Sequence, residues 1–342
     1  MSLAIHLSEA GLVPDPLLRA GIRSLLRRRL AEQEALHAGD PAARWREVVR
    51  GGPIALATDA ANRQHYEVPP AFFERVLGPR LKYSSAWWDA GTADLAAAEE
   101  RMLAITCARA GLSDGQRILE LGCGWGSLSL WMAERYPRAR IVALSNSHAQ
   151  RRHVLARAAE RGLGNLEVRT QDVAEFDPGA RFDRVVSVEM FEHLRNWERM
   201  LGRAAGWLAP GGRLFLHVFA HRKYCYPFET AGDDDWMGRH FFTGGMMPAV
   251  GMTSALTTPL ALEESWTVAG THYARTAEAW LRNLDRERAA TQAILGEGAG
   301  DGRLAWRRWR MFFLACAELF GYDDGREWLV WHARFAARAE AR

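Results

Sequence analysis

The middle of the chain, from residue 113 to 221, alternates short apolar segments with longer segments of helical periodicity. The predicted strands are Arg117–Gly122, Arg140–Leu144, Leu166–Gln171, Phe182–Glu189 and Arg213–Val218. The predicted helices are Ser127–Tyr136, Ser147–Arg161 and Trp197–Leu208, and the last one ends at Pro210-Gly211-Gly212. Regular alternation of strand and helix predicts an α/β fold with a doubly wound, mostly parallel sheet. Such sheets bind ligands at the carboxyl ends of their strands.

The flanking segments divide the rest of the chain. Residues 1–60 are predicted to be helical, 61–112 to cover the site, 113–221 to bind a cofactor, 222–260 to form a helical cap insert, and 261–342 to complete the sheet and substrate pocket. Strand-like segments at Glu264–Ala269 and Glu327–Phe335 raise the sheet to seven strands. Helices are also predicted at Leu95–Ala110, from about Thr276, and at Leu304–Leu319.

The helix around residues 17–30 carries leucines at helical spacing with arginines between them. It either packs its leucines on the body of the protein or touches an anionic membrane surface, and the pattern leaves both open.

Composition narrows the class of protein. The chain has 342 residues, is 48% hydrophobic and 25% charged, and has a net charge of +3, as expected for a globular protein with a sizeable core. Neither a secretory signal nor an apolar run of ~20 residues is present, so we expect a cytoplasmic protein without a membrane span. The arginines are scattered among acids, which argues against nucleic acid as a partner. The four cysteines match no metal-ligand spacing, so no metal is predicted.

A glycine-rich turn follows the first predicted strand, in Ile118-Leu-Glu-Leu-Gly-Cys-Gly-Trp-Gly126. Three glycines at alternate positions lead straight into a helix and let a cofactor approach bare backbone near a helix N-terminus. The spacing differs from the G-x-G-x-x-G of dinucleotide-binding folds. A tight turn without a ligand would carry the same residues.

Polar residues also follow the second and third strands. Ser145-Asn146 and, one turn into the next helix, Gln150 offer short hydroxyl and amide groups where a ribose could bind. Asp172, followed by Val173, can accept a hydrogen bond from an adenine amino group. An aspartate at this place can equally cap the next element.

The fourth strand ends in Val188-Glu-Met-Phe-Glu-His193. Two carboxylates and an imidazole within five residues form a candidate acid–base cluster, since a neighbouring carboxylate raises the basicity of histidine and fixes its tautomer. Glu192 and His193 could instead cap a helix start, where Glu is favoured.

These motifs together resemble the cyclopropane fatty acid synthase superfamily of S-adenosylmethionine (SAM)-dependent enzymes. The C-terminal part is most similar to the coclaurine N-methyltransferase type. The words that carry the resemblance are His65-Tyr66, Tyr83-Ser-Ser85, the glycine turn, Glu189-Met-Phe-Glu-His-Leu194, Asp234-Asp-Trp-Met237, Phe241-Phe-Thr-Gly-Gly245, Gly270-Thr-His-Tyr-Ala274, Trp309-Arg-Met-Phe-Phe313, Ala317-Glu-Leu-Phe-Gly-Tyr322 and Glu327-Trp328. They occur in order from about residue 60 to the end.

The resemblance implies a class I SAM-methyltransferase fold and a set of cofactor contacts. These are Tyr83, Ser84, Glu120, Gly122, Gly124, Ser145, Asn146, Gln150, Asp172, Val173 and Glu189. Lipid-cyclopropanating members hold a bicarbonate on a Cys, a Glu, a His and a Tyr, which match Ser85, Glu192, His217 and Tyr273 here. Because Ser85 replaces the cysteine, bicarbonate is a weaker expectation than SAM.

We therefore expect methyl transfer to the nitrogen of a small, alkaloid-like secondary or tertiary amine. His193, oriented by Glu192, is the predicted base, and Glu189 the predicted anchor for the cationic nitrogen. The predicted substrate contacts are Ser85, His217, Trp236, Phe241, Phe242, Tyr273 and Trp328. The alternatives are cyclopropanation or C-methylation of phospholipid acyl chains, and a SAM-fold protein without activity. A homodimer is left open.

Overall fold

The computed structural model describes residues 3–56, 68–232, 235–297 and 300–338. His65-Tyr66 and Asp234, which contribute to the resemblance, lie outside these ranges.

A single large sheet organises the described chain, and its seven strands confirm the predicted fold class. The strands are β1 Arg117–Leu121, β2 Arg140–Ser145, β3 Leu166–Thr170, β4 Phe182–Val188, β5 Leu208–His221, β6 Leu260–Val268 and β7 Trp328–Ala337. Their spatial order is β3-β2-β1-β4-β5-β7-β6. The strands β1 to β5 pair in parallel, and β7 runs antiparallel between β5 and β6. The carboxyl ends of β1 to β4 therefore meet at one edge.

The helices of the described chain surround this sheet. They are α1 Leu3–Glu9, α2 Asp15–Leu36, α3 Pro41–Val49, α4 Pro70–Val76, α5 Leu95–Ala110, α6 Ser127–Arg135, α7 His148–Glu160, α8 Trp197–Trp207, α9 Trp236–His240, α10 Gly270–Arg286, α11 Arg288–Leu295 and α12 Gly302–Gly321. Short 3₁₀ turns lie at Phe191–His193, Met252–Ala255 and Tyr322–Gly325. The described part of the cap insert is mostly irregular, with α9 and a two-residue ladder of Tyr226–Pro227 on Met246–Met247.

Strand β5 begins earlier than the sequence predicted. The segment Pro210-Gly211-Gly212, expected to separate helix from strand, lies inside β5. The register shifts there, because Leu208 pairs with Phe182 while Arg213 pairs with Arg184. A side chain at Gly212 would come within 2.9 Å of two backbone oxygens, so the turn residues form a bulge.

Helix α2 packs its apolar side on the body of the protein, the first of its two predicted arrangements. Leu18, Ile22, Leu26 and Leu30 lie against the aromatic cluster that includes residues of α12. Arg19 and Arg23 form ion pairs with Glu318 on α12. Within the described ranges, every helix is too short or too polar to cross a bilayer.

Candidate active site

A cavity opens where β1 to β4 end, and it gathers residues from all four strand ends. All of the predicted cofactor residues line it: Tyr83, Ser84, Glu120, Gly122, Gly124, Ser145, Asn146, Gln150, Asp172, Val173 and Glu189. Of the predicted catalytic and substrate residues, His193, Phe242 and Tyr273 also line it. The topology explains this convergence, since all four strands are parallel neighbours.

The glycine turn needs left-handed backbone. Gly122 has φ of +80° and Gly124 has φ of +52°, where residues with side chains are strained. A Cβ on Gly122 would lie 2.7 Å from the Cβ of Met190, so this position has no room for a side chain. The chain enters α6 directly afterwards, at Ser127. The turn thus presents backbone to the cavity at the N-terminus of a helix.

The polar residues at the next strand ends are fixed by local hydrogen bonds. The Ser145 hydroxyl donates to the Oε1 atom of Gln150 over 2.7 Å and accepts the N–H of Ser147. Asp172 uses Oδ1 to accept the N–H of Ala174 over 2.8 Å, so it does cap the following turn. Capping occupies one oxygen, and Asp172 still lines the cavity.

Glu120 lies at the end of β1, almost fully buried. The Ser129 hydroxyl donates to Oε2 of Glu120. Burial raises the pKa of Glu120 to about 7, and the Ser129 hydrogen bond opposes that rise.

The segment from Gly78 to Ser85 is held by a buried carboxylate that the sequence analysis missed. Glu99 on α5 accepts the backbone N–H groups of Gly78, Arg80 and Lys82. A side chain at Gly78 would clash with the Glu99 carboxylate at 2.5 Å. These bonds place Lys82, Tyr83 and Ser84 at the cavity. Glu99 stands beside Glu100 inside a helical pattern, and the sequence gives no sign that one of the two is buried and binds backbone.

Lys82 is a second site residue that the sequence analysis missed. Its ammonium donates to the hydroxyl of Ser84 and to the carbonyl of Ser85, the latter over 2.8 Å. Burial lowers the pKa of Lys82 to about 8, while the carboxylates of Glu189 and Glu99 oppose the fall. A signal was available, because Lys82 and Lys223 are the lysines of an arginine-rich chain.

Glu189 is the electrostatic centre of the cavity. Its Oε1 accepts the N–H of Ser85 over 3.0 Å and lies 3.2 Å from Nε2 of His217. Its Oε2 accepts the hydroxyl of Tyr273 over 2.6 Å. Glu189 has φ of +47°, a strained conformation for a residue with a side chain. Burial raises the pKa of Glu189, whereas Lys82, Tyr273 and Ser85 oppose the rise.

The same contacts bear on the bicarbonate expectation. Ser85, Glu192, His217 and Tyr273 were predicted to hold an anion. In the structure the backbone N–H of Ser85, the ring of His217 and the hydroxyl of Tyr273 hydrogen-bond to Glu189, and the Ser85 hydroxyl donates to the carbonyl of Ala86. The carboxylate thus takes the donors that an external anion would need. These donors do not fit bicarbonate in this arrangement, because each of them is already hydrogen-bonded to Glu189.

Glu192 and His193 do not form the predicted pair. Oε1 of Glu192 accepts the N–H of Phe219 over 2.7 Å, and Oε2 has no partner among the described residues. Burial and the neighbouring Glu189 raise the pKa of Glu192 well above its usual range. Glu192 is fully buried, is absent from the cavity lining, and serves the backbone of β5 instead.

His193 is the imidazole that reaches the cavity. Its ring stacks on Phe242, with centroids 5.7 Å apart and an interplanar angle of 17°. Burial lowers the pKa of His193 to about 4, and the charge of Glu189 opposes this. The imidazole is therefore neutral near pH 7 and able to accept a proton, but a pKa of about 4 makes it a weaker base than an ordinary histidine, contrary to the raised basicity that the sequence predicted.

Three of the predicted substrate aromatics do not line the cavity. Trp236 donates its indole N–H to Glu9 over 3.0 Å, and Trp328 donates its own to Tyr226 over 2.9 Å. Phe241 stacks on Phe312 with centroids 4.2 Å apart. Their partners hold these rings in the surrounding core. The apolar lining instead includes Phe219, Trp280 and Phe312, beside Phe242 and Tyr273.

The cavity fits SAM by its own chemistry. It combines left-handed glycine backbone with the carboxylates of Glu120 and Asp172 at two strand ends. The hydroxyls of Thr106 and Ser127 line it and have no hydrogen-bond partner among the described residues. Among the residues that the structure describes, no group of three or more His, Cys, Asp or Glu is arranged to hold a metal ion.

Fold and cavity together define a class I SAM-dependent methyltransferase. The family model of mycolic acid cyclopropane synthetase matches residues 56–326, and the chain belongs to that family.

Comparison with known proteins supports this assignment. The chain is 32% identical over 340 residues to (S)-coclaurine N-methyltransferase of Thalictrum flavum subsp. glaucum, covering 96% of this chain and 93% of that one. It is 30% identical over 275 residues to cyclopropane-fatty-acyl-phospholipid synthase of Escherichia coli K12, covering 80% of this chain and 67% of the relative. The crystal structure of coclaurine N-methyltransferase bound to N-methylheliamine and S-adenosylhomocysteine (SAH) superposes with a TM-score of 0.92 and 30% identity. It covers 97% of this chain and 98% of the other.

Proposed function

We propose that this enzyme transfers the methyl group of SAM to the nitrogen of a small, alkaloid-like secondary or tertiary amine. The observation that carries the proposal is the pairing of a buried carboxylate, Glu189, with a neutral imidazole, His193, in one aromatic-lined cavity. A relative with the same architecture was crystallised with N-methylheliamine, which is a methylated amine.

Glu189 is the proposed anchor of the substrate cation. Its carboxylate is almost fully buried, so a protonated amine entering the cavity meets it with little screening. The neighbouring rings of Phe242 and Phe312 offer flat faces to a ring system and to its positive charge.

His193 is the proposed proton acceptor. An ammonium has no lone pair, so a secondary amine must lose its proton before it can attack. Bound SAM would supply an electrophilic methyl on its sulfonium, held by the glycine turn, Glu120 and Asp172. The chain's own residues orient the amine and take its proton, and alignment then lowers the barrier to displacement.

Lipid modification is the second candidate. The retained His217 and Tyr273 favour it, as does the 30% identity to a phospholipid-modifying relative. The hydrogen bonds from both residues to Glu189 weigh against it, because they remove the anion site that the lipid chemistry of the family requires.

A matched pair of substrates tests the amine proposal. We expect SAH release in the presence of a cyclic secondary amine, such as a tetrahydroisoquinoline, and none with its N-acetyl derivative. The two compounds share the rings, but the amide lacks both the basic lone pair and the positive charge. Equal turnover of both compounds, or turnover only with vesicles of unsaturated phospholipid, would contradict the proposal.

A further inference from the structure

A chain of hydrogen bonds runs from Glu189 away from the cavity into the sheet. Nε2 of His217 lies 3.2 Å from Oε1 of Glu189, and Nδ1 of His217 lies 2.8 Å from Nε2 of His332. Nδ1 of His332 lies 2.8 Å from a terminal guanidinium nitrogen of Arg109. The two histidines are direct cross-strand partners on β5 and β7, and both are fully buried.

The direction of these hydrogen bonds is set by Arg109, at the end farthest from Glu189. A guanidinium only donates hydrogen bonds, so Nδ1 of His332 must be an acceptor. A neutral His332 then carries its proton on Nε2, and this N–H donates a hydrogen bond to Nδ1 of His217. His217 in turn carries its proton on Nε2, and that N–H donates a hydrogen bond to Oε1 of Glu189. Burial holds the pKa of both histidines well below their usual range; Lys82 and then Arg109 add to this at His217, and His217 and then Arg109 at His332, so both rings stay neutral.

We propose that Arg109 acts as a positioning residue for Glu189, through His332 and His217, by locking both imidazoles in the Nε2-protonated tautomer. The reversed chain would let a protonated Glu189 donate to His217, but it would end with N–H of His332 facing N–H of Arg109. The fixed tautomers therefore keep Oε1 of Glu189 a hydrogen-bond acceptor and exclude a proton from that oxygen, which favours the carboxylate form. That this arrangement helps to bind a cationic substrate rests on the proposed function. The assignment of the tautomers does not depend on it.

Other charged and titratable groups face Glu189 and must be held constant in any test. They come from the loop, the 3₁₀ turn, α10 and α12: Lys82, Glu192, His193, Tyr273 and Cys316. Glu99 on α5 and Tyr83 act one step away, through Lys82 and Tyr273. None is altered by a substitution at Arg109.

The experiment has two readouts on the full-length enzyme. Long-range ¹H–¹⁵N NMR correlations, assigned with His217→Gln and His332→Gln, report which nitrogen of each ring carries the proton. We expect the Nε2–H tautomer for both rings from mildly acidic to mildly basic pH, with no substrate present. A doubly protonated ring, or an Nδ1–H ring, in the wild-type enzyme would overturn the proposal.

The second readout is the pH profile of amine methylation in Arg109→Met, which keeps an apolar stem but loses the donor. We expect the acidic limb of kcat/KM to move up by about one pH unit, so that kcat/KM falls about tenfold at pH values on that limb, mainly through KM, and little on the plateau above it. Arg109→Lys keeps a donor and should recover most of the loss. An unchanged profile in Arg109→Met would overturn the proposal, as would a loss that Arg109→Lys shares in full.

A nearby arginine provides the matched control. Arg334 lies over the same Trp266 ring, at 5.7 Å against 5.2 Å for Arg109, but its hydrogen bonds go to Glu263 and to the carbonyl of Arg109. Arg334→Met should leave both tautomers and the pH profile unchanged. If the tautomers are as stated and no amine is methylated, the proposed function is wrong, whereas the role of Arg109 in fixing the tautomers is confirmed.

Discussion

Replacing Glu189 with glutamine removes the charge that we place at the centre of the site while preserving its shape. The amide oxygen can sit where Oε1 accepts from Ser85 and His217. The amide NH₂ then faces the hydroxyl of Tyr273, which can rotate to accept instead of donating. We therefore expect a melting temperature within about 3 °C of the wild type.

The expected loss is electrostatic. A carboxylate and an ammonium ~4 Å apart attract each other by about 4 kcal/mol at an effective dielectric of ~20. Because water and the altered pKa of Lys82 offset part of this, we expect about 2–4 kcal/mol, or ~30- to 1000-fold in kcat/KM for the amine. The assay is SAH release at saturating SAM with varied amine.

A matched control is Glu263→Gln. Glu263 pairs with Arg213 and Arg334 at the surface, away from the cavity lining. Surface ion pairs contribute ~0–1 kcal/mol, so this variant should keep wild-type kcat/KM. A Glu189→Gln enzyme with wild-type kcat/KM for an amine would refute the anchor role.

Three further substitutions test other parts of the site. Gly122→Ala places a Cβ 2.7 Å from Met190 at φ of +80°, so calorimetry should show at least tenfold weaker SAM binding. The control is Gly162→Ala, which also lies at positive φ but has no atom within 4 Å of the added Cβ, and it should bind SAM normally. His193→Gln should lower kcat about 100-fold. Burial lowers the pKa of His193 to about 4, so protonation of this ring favours the unfolded chain. As pH falls from about 6.5 to about 4, the free energy of unfolding measured in urea should therefore decrease by up to about 3 kcal/mol more in the wild type than in this variant. Lys82→Met removes an ammonium whose pKa is about 8. We expect the wild-type rate to decline above about pH 8 and the rate of the variant not to decline there. A decline that persists in the variant would show that another group causes it.

The sequence predicted the sheet well because periodicity reports burial directly. Helix Leu95–Ala110 begins and ends where the pattern placed it, and the first four strands agree within a residue. The glycine turn was recognisable because left-handed backbone demands glycine. The start of β5 was missed because a bulge and a loop share the same residues, Pro210-Gly211-Gly212.

The site was harder to predict where it depends on packing across the sheet. Glu189 and His193 were found because they follow a strand end, whereas the partner of Glu192 is backbone on β5, which spacing does not reveal. His332 lies 115 residues from His217 along the chain and contacts it through strand pairing alone. The aromatics Trp236 and Trp328 were assigned to substrate by composition, but their indole N–H groups bind within the core.

The most direct test of the central claim is to supply trideuteromethyl-labelled SAM with a mixed pool of cyclic amines and unsaturated phospholipid vesicles. Tandem mass spectrometry then locates the label in the products. We expect the intact trideuteromethyl group on the nitrogen of an amine, in an amount equal to the SAH released. Label on acyl chains, with none on any nitrogen, would contradict it.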